Sequence, residues 1–355
     1  MSLDAFFATV APPPVIVGTG LVALDIILDG DDPARASSFH AGGTCGNVLT
    51  ILSSLGWRAF PVARLNDDPA SLHVQRDLAH WGVALDYARL APGGATPAYI
   101  QRTRRDATGT PSHTFLRVCP VCGRRLPGYQ AVVLPAAGEV AARMEAPSVF
   151  FLDRVSPGAL VLVKESKRRG AIIVFEPAGI GDPRIFHEIV SLAHIVKYSH
   201  ERIERLDSIG AISLLEIQTL GREGLRYRSK IASAQAGEWR HLASYDVAHF
   251  ADSAGAGDWC TVGVIHALGQ RGLQGLLSSD ARRIRDALLF GQALATWSCA
   301  FTGARGGMYS GDMQALRPAI ERITAGADHD EERQREPRQS AHNMFTTLCL
   351  ACSVD

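Results

Sequence analysis

The residue types best suited to chemistry lie in one short segment, Asp252-Ser253-Ala254-Gly255-Ala256-Gly257-Asp258. An apolar pattern with helical spacing begins directly after it. Small residues let the backbone turn sharply and approach a ligand closely. The free N–H groups at the start of the following helix, with the helix dipole behind them, are suited to binding an anion. Asp258 would stand at the mouth of that site and accept a proton from a hydroxyl nucleophile, so the segment predicts phosphoryl transfer to an alcohol.

The composition predicts an ordinary globular protein. The chain has 355 residues, of which 46% are apolar and 20% charged, enough for one large domain or two of usual size. The formal net charge is zero, which argues against nucleic-acid partners and a membrane surface. The seven cysteines, an odd number, and an N-terminus without the basic start of a signal peptide predict a reducing, cytoplasmic location.

Strands and helices alternate along most of the chain, which predicts a mostly parallel sheet covered by helices on both faces. The run from Val15 to Gly20 is predicted to be a buried first strand that continues through Leu21 to Leu28. The segments Pro97 to Thr103 and His113 to Val118 predict a hairpin, and Arg282 to Phe301 a long final helix.

The C-terminal end differs in character from the rest. Residues 326–341 are charged and contain proline, so we expect a linker, and residues 342–355 form an apolar tail. Residues 1–325 are therefore expected to form the main domain.

In these features the chain resembles a known family, the ribokinase-like (pfkB) carbohydrate and nucleoside kinases, over roughly residues 15–315. Asp252 to Asp258 is similar to the family signature Asp-Thr-x-Gly-Ala-Gly-Asp, with Ser253 in place of Thr. Gly42-Gly43-x-x-x-Asn47 resembles the family's substrate-binding turn, and Asp25 falls where the family keeps a ligand for sugar hydroxyls. Thr219-Leu220-Gly221-Arg222-Glu223-Gly224 resembles the turn that lies against the nucleotide.

The resemblance implies a three-layer αβα fold with a small β lid, whose hairpin spans approximately residues 96–125. It implies ATP and Mg²⁺, with a monovalent cation as a further candidate, and a sugar, sugar acid or nucleoside as acceptor. Asp258 would be the general base, and the amides of Gly255, Ala256 and Gly257 would form the anion hole. The implied acceptor-binding residues are Asp25, Gly42, Gly43 and Asn47. The implied nucleotide-binding residues are Thr219, Gly221, Gly224, Asp252 and Gln292. A homodimer stays open, although the segment between Asp25 and Gly42 is short for dimerisation through lid strands.

The chain also departs from the family pattern. The family often has Asn-x-x-Glu, which helps to place magnesium through water, where this chain has Ser199-His200-Glu201-Arg202. Arg202 stands at the position of the acid, so either Glu201 takes over metal placement or it is a solvated helix residue. Glu176-Pro177-Ala178 lacks the asparagine and arginine that follow an acid in the family. Gln292 replaces an asparagine and is either the edge of the adenine pocket or plain helix surface.

Other interpretations remain open from sequence. Gly18-Thr19-Gly20-Leu21-Val22-Ala23 fits a loose dinucleotide-binding pattern, but a strand continues there and Asp25 comes too early for the ribose acid. No Gly-x-x-x-x-Gly-Lys-Ser/Thr loop occurs. Asp258 could merely complement a helix dipole, Asp25 could be a turn residue and Asn47 a helix N-cap. A nucleotide- or sugar-binding protein that has lost turnover is the alternative function.

The cysteines fall into two groups. Cys119 and Cys122 form a Cys-x-x-Cys pair with the sequence of half a zinc ribbon, and Cys349 and Cys352 form a second pair. Together they could supply four thiolates to a structural Zn²⁺ ion; two free thiol pairs or a redox dithiol are the alternatives. The remaining three are expected to be core residues: Cys45, Cys260 and Cys299.

Overall fold

Two β-sheets organise the chain. The computed structural model describes residues 3–8, 10–29, 36–90, 96–105, 111–203, 213–231, 237–247, 249–310, 313–327 and 339–340. The strands are β1 (Val15–Thr19), β2 (Ala23–Asp29), β3 (Ala36–Gly42), β4 (Arg58–Leu65), β5 (Ala88–Leu90), β6 (Ala98–Arg105), β7 (Pro111–Leu116), β8 (Val149–Leu152), β9 (Ile172–Phe175), β10 (Ile195–Ser199), β11 (Leu215–Thr219), β12 (Leu225–Ser229), β13 (Arg240–Leu242) and β14 (Gln339–Ser340). The helices are α1 (Asp4–Phe7), α2 (Thr44–Ser54), α3 (Pro69–His80), α4 (Leu134–Arg143), α5 (Pro157–Arg168), α6 (Pro183–Leu192), α7 (Ala256–Gly269), α8 (Gly272–Leu277), α9 (Ala281–Ser298), α10 (Gly306–Ser310) and α11 (Leu316–Ala325).

The large sheet forms the middle of three layers. Its order is β13-β12-β11-β10-β9-β8-β1-β4-β5, parallel except for β12 and β13. Successive strand residues point to opposite faces. Ile16 and Phe151 pack with residues of α2, α7 and α9 in one core, whereas Val17 and Phe150 pack with residues of α4, α5 and α6 in the other. The predicted αβα architecture is confirmed.

The small sheet has the order β14-β3-β2-β6-β7. It contains β2 and β3 as well as the expected hairpin, β6 and β7. The prediction of one strand from Val15 to Leu28 is wrong, because the chain leaves the large sheet at Gly20 and enters the small one at β2. Gly20 has φ +148°, and a Cβ there would lie 1.5 Å from an oxygen of Asp153. Only glycine fits this crossing between sheets.

The predicted long final helix is confirmed as α9, which begins at the N-cap Asp280, whose carboxylate accepts from the Arg283 amide at 2.7 Å. No helix in the described ranges is long and apolar enough to cross a membrane. Apart from residues 326–327 and 339–340, the predicted linker and the whole tail lie outside the described residues.

Candidate active site

The start of α7 has the geometry of an anion site. Gly255 is its N-cap residue with φ +74°, and a Cβ on it would lie 2.6 Å from atoms of Ala304. A residue larger than glycine is therefore excluded at this position both by the positive φ and by the lack of space. Of the three amides implied to hold an anion, that of Ala256 donates to the Ser253 carbonyl at 3.2 Å. Those of Gly255 and Gly257 have no hydrogen bond within the described part of the chain.

Asp258 lies in the first turn of α7 and is buried. Its Oδ2 accepts a hydrogen bond of 2.7 Å from the side-chain amide of Asn47, on α2. Burial, aided by the negative charge of Glu176, raises the pKa of Asp258 to about 7, against the lowering effect of the Asn47 bond. The carboxyl group is therefore poised to take up or release a proton near neutral pH.

A buried ion pair packs against the turn before α7. Lys197 on β10 lies 2.7 Å from Glu176, which follows β9, and both side chains are at least nine-tenths buried. The Glu176 charge holds the pKa of Lys197 above its usual value although burial opposes this. The other Glu176 oxygen accepts from the Thr261 hydroxyl on α7. A Cβ on Gly257 would lie 3.7 Å from the Lys197 ammonium, so the pair packs directly beneath the glycine turn.

Two of the implied acceptor residues, Gly42 and Gly43, contact Asp25. Asp25 lies in the middle of β2 and pairs across the strands with His40. Its carboxylate fills the place of a side chain at Gly42, where a Cβ would lie 1.9 Å from Oδ2. Gly43, with φ +78°, caps α2 and donates its amide to Asp25. Burial raises the pKa of Asp25 to about 6, against the cation of Arg305.

Asp252 joins the signature segment to the small sheet. One carboxylate oxygen lies 2.8 Å from Nδ1 of His113 on β7 and also accepts from the Ala254 amide. The other accepts from the Gln101 side chain on β6 and from the Gly303 amide at 2.9 Å. These bonds hold the pKa of Asp252 below its usual value although burial opposes them. In the structure Asp252 contacts two lid strands and the amides of Ala254 and Gly303, and its implied role toward the nucleotide stays a prediction.

Two of the other implied nucleotide residues, Gly224 and Gln292, lie against the end of β13 and the segment after it. Thr219 ends β11, and Gly221 begins a short 3₁₀ turn with φ +61°. Gly224 has φ +96°, and a Cβ on it would lie 2.2 Å from the Leu242 carbonyl. Gln292 on α9 is buried and donates to the Ala243 carbonyl at 3.1 Å. The structure therefore brings Gly224 and Gln292 to one segment and gives the Gln292 amide a protein partner.

The proposed metal positions differ in how far the structure describes them. Glu201 is exposed, and its amide hydrogen-bonds to Ser199. Cys119 is buried and Cys122 exposed in a turn closed by two hydrogen bonds, Cys119 N–H to Arg124 and Gly123 N–H to Cys119. Cys349 and Cys352 lie outside the described residues. Within the described ranges, no group of three His, Cys, Asp or Glu side chains is placed to hold a metal ion. The three cysteines expected in the core are buried.

Sequence reasoning missed four residues that surround the predicted groups: Gln101, His113, Lys197 and Arg305. Lys197 offered a signal, since a lysine inside the apolar strand Ile195-Val196-Lys197-Tyr198 requires a buried partner. Arg305 gave no signal, because it follows the last long helix in a glycine-rich turn where an exposed arginine is ordinary. It is 3% exposed.

Comparison with known proteins adds to this geometry. No family model and no curated protein matches the chain. Solved structures match over most of it. A fructokinase from Vibrio cholerae O395, with fructose, ADP and calcium bound, is 19% identical and has a TM-score of 0.63; the match covers 86% of this chain and 99% of that one. A fructokinase from Xylella fastidiosa with bound ATP is 17% identical, with a TM-score of 0.67 and coverage of 87% and 99%. An aminoimidazole riboside kinase from Salmonella enterica, with its riboside and an ATP analog, is 17% identical, with a TM-score of 0.62 and coverage of 86% and 99%. The chain therefore has the ribokinase-like fold of these sugar and nucleoside kinases.

Proposed function

We propose that the chain is an ATP-dependent kinase that phosphorylates an alcohol group of a sugar, sugar acid or nucleoside. The observation that carries the proposal is the environment of Asp258. A carboxyl group with a pKa of about 7 lies in the first turn of α7, beside a glycine turn in which the Gly255 and Gly257 amides bond to no acceptor among the described residues. A base and an anion site at one helix N-terminus are what phosphoryl transfer to a hydroxyl requires.

In the proposed reaction, the acceptor hydroxyl donates its hydrogen bond to Asp258. Asp258 takes the proton as the hydroxyl oxygen attacks the γ-phosphorus, while the bond from that phosphorus to the bridging oxygen of ADP breaks. The amides of Gly255 and Gly257, with the α7 dipole, stabilise the negative charge on the phosphoryl oxygens. Asp25 orients the acceptor, because an ionised carboxylate can accept hydrogen bonds from two neighbouring hydroxyls.

Magnesium is proposed to enter with the nucleotide, because Mg²⁺ is usually held by substrate phosphates and water with one or two carboxylates. Arg202 occupies the position where the resemblance implies an acid, and the described residues hold no ready cluster of ligands. Glu201, exposed one position before Arg202, is the carboxylate proposed to help place the ion through water. The bound ADP and calcium of the Vibrio fructokinase support ATP with a metal ion in general terms.

A structural zinc ion is a separate proposal. The Cys119–Cys122 turn has Gly123 in the left-handed region at φ +73° and a bridge between Val118 and Arg125 at its base. A tight turn of this kind presents two thiolates to one ion. The other two proposed ligands are Cys349 and Cys352.

Coupled ADP release, measured over a panel of sugars, sugar acids and nucleosides with MgATP, tests the kinase proposal. We expect turnover with at least one acceptor, and a kcat lower on the order of 100-fold or more in Asp258→Asn. The matched control is Asp86→Asn, which removes an exposed aspartate outside the site. If MgATP binds but no acceptor is phosphorylated, the kinase proposal fails and the binding-protein alternative replaces it.

A further inference from the structure

Arg305 is a buried cation beside the candidate base that belongs to none of the motifs behind the resemblance. It lies directly before α10 and is 3% exposed. Its Nη2 donates to the Ala41 carbonyl and, at 2.7 Å, to the Asp77 carboxylate; its Nε donates to the Asn47 side-chain oxygen at 3.2 Å. The ring of Tyr309 lies 5.4 Å from the guanidinium carbon. Anchors on several elements therefore fix the guanidinium in place.

Asn47 stands between this guanidinium and Asp258. Its oxygen accepts from Arg305, and its nitrogen donates to Asp258 Oδ2 at 2.7 Å. A guanidinium can only donate hydrogen bonds, and an ionised carboxylate can only accept them. A flipped amide would therefore place two donors together on one side and two acceptors together on the other. Arg305 thus selects the one Asn47 orientation that suits the ionised base.

We propose that Arg305 is a positioning residue for phosphoryl transfer, which holds the Asn47 amide so that the Asp258 carboxylate stays aligned with the acceptor hydroxyl. This inference rests on the proposed function. It adds to the implied role of Asn47, whose oxygen and nitrogen each make one hydrogen bond to a protein group. Arg305 acts on the base through Asn47.

The groups that face Asp258 determine how the loss of Arg305 changes its titration. They are Asn47 from α2, Glu176 after β9, Lys197 on β10 and Arg202 after β10. The Asn47 hydrogen bond lowers the pKa of Asp258. Without Arg305 the Asn47 side chain can rotate and lose this bond, so the pKa of Asp258 should rise. The ascending limb of the rate profile, where the base loses its proton, then moves to higher pH.

The test compares Arg305→Lys, Arg305→Met, Asn47→Leu and the double variant Arg305→Met/Asn47→Leu, with ATP and the best acceptor. Arg305→Lys keeps a cation beside Asp77, but its single ammonium cannot reproduce the fork that also reaches Asn47. We expect Arg305→Lys and Arg305→Met to lower kcat on the order of 10-fold to 100-fold, as misalignment does. In Arg305→Lys, which keeps the cation that lowers the pKa of Asp25, the acceptor KM should change little and the ascending limb of the rate profile should move to higher pH. Because both residues act as one unit, the double variant should be no slower than Asn47→Leu.

Arg228→Met is the matched control for folding, because it also strips a buried carboxylate, Glu216, of its arginine. We expect it to lower the unfolding midpoint without moving the pH limb. A higher acceptor KM at unchanged kcat in Arg305→Lys would overturn the inference, since Arg305 would then bind the acceptor. Losses that multiply in the double variant would also overturn it.

Titration of ¹³C-labelled aspartate carboxyl groups by NMR separates this inference from the proposed function, because it needs no turnover. Asp258→Asn assigns the resonance. An upward shift of the Asp258 pKa in Arg305→Lys supports the inference even if the wild-type chain phosphorylates no acceptor in the panel. An unchanged pKa overturns it, even if the wild-type chain is an active kinase.

Discussion

Replacing Asp258 by asparagine should stabilise the protein while it removes activity. Asn has the same shape, keeps an oxygen for the Asn47 amide and carries no charge. Raising the Asp258 pKa from 3.8 to about 7 means that the fold disfavours the charged form by about 4 kcal/mol. Because the folded state holds this proton more tightly than the unfolded state, the cost is absent below about pH 4, grows as the pH rises and is complete above about pH 7. Asp258→Asn is free of this cost.

Urea unfolding of both proteins at pH 4 and pH 8 measures the effect. We expect similar free energies of unfolding at pH 4, and at pH 8 an Asp258→Asn variant that is more stable by up to about 4 kcal/mol. Its kcat should fall on the order of 100-fold or more, the size of a lost general base. An equal difference in the free energy of unfolding at both pH values would refute the conclusion that the buried charge of Asp258 destabilises the fold. A kcat close to that of the wild type would refute the role as base.

Three further perturbations test other parts of the site. Gly42→Ala would place a Cβ 1.9 Å from the Asp25 carboxylate. Calorimetry should therefore find acceptor binding weakened on the order of 100-fold, with ATP binding unchanged. An equal loss of acceptor binding and ATP binding would contradict this prediction. Lys197→Met leaves Glu176 buried without its cation, so the free energy of unfolding measured in urea should fall by about 3–5 kcal/mol. The control Lys164→Met breaks an exposed ion pair and should lower the free energy of unfolding by less than about 1 kcal/mol. Metal analysis should find zinc in the wild type and in the control Cys299→Ser, and none in Cys122→Ser. A wild type without zinc would contradict the zinc proposal.

The sequence by itself determined the layers and the kind of chemistry. Alternating apolar strands and amphipathic helices predicted the three-layer sheet, because burial on both faces requires those periods. The glycines and aspartates from Asp252 to Asp258 predicted the anion site, because its conformation is local: Gly255 must adopt positive φ wherever the helix lies. The sequence did not reveal the crossing at Gly20, since apolar residues continue on both sides of it and no local signal separates the two strands.

The tertiary structure decided which polar groups meet. Asn47 reaches Asp258 across 211 residues of chain, and Arg305 reaches Asn47 across 258. Asp252, predicted to serve the nucleotide, also bonds to Gln101 and His113 on the small sheet, which its own segment did not indicate. Local periodicity specifies which face of a helix or strand is buried. The order of the strands and the connections between them decide which buried donor lies next to which acceptor. The candidate base could therefore be named from its own segment, whereas the polar side chains around it became visible only when the fold brought distant segments together.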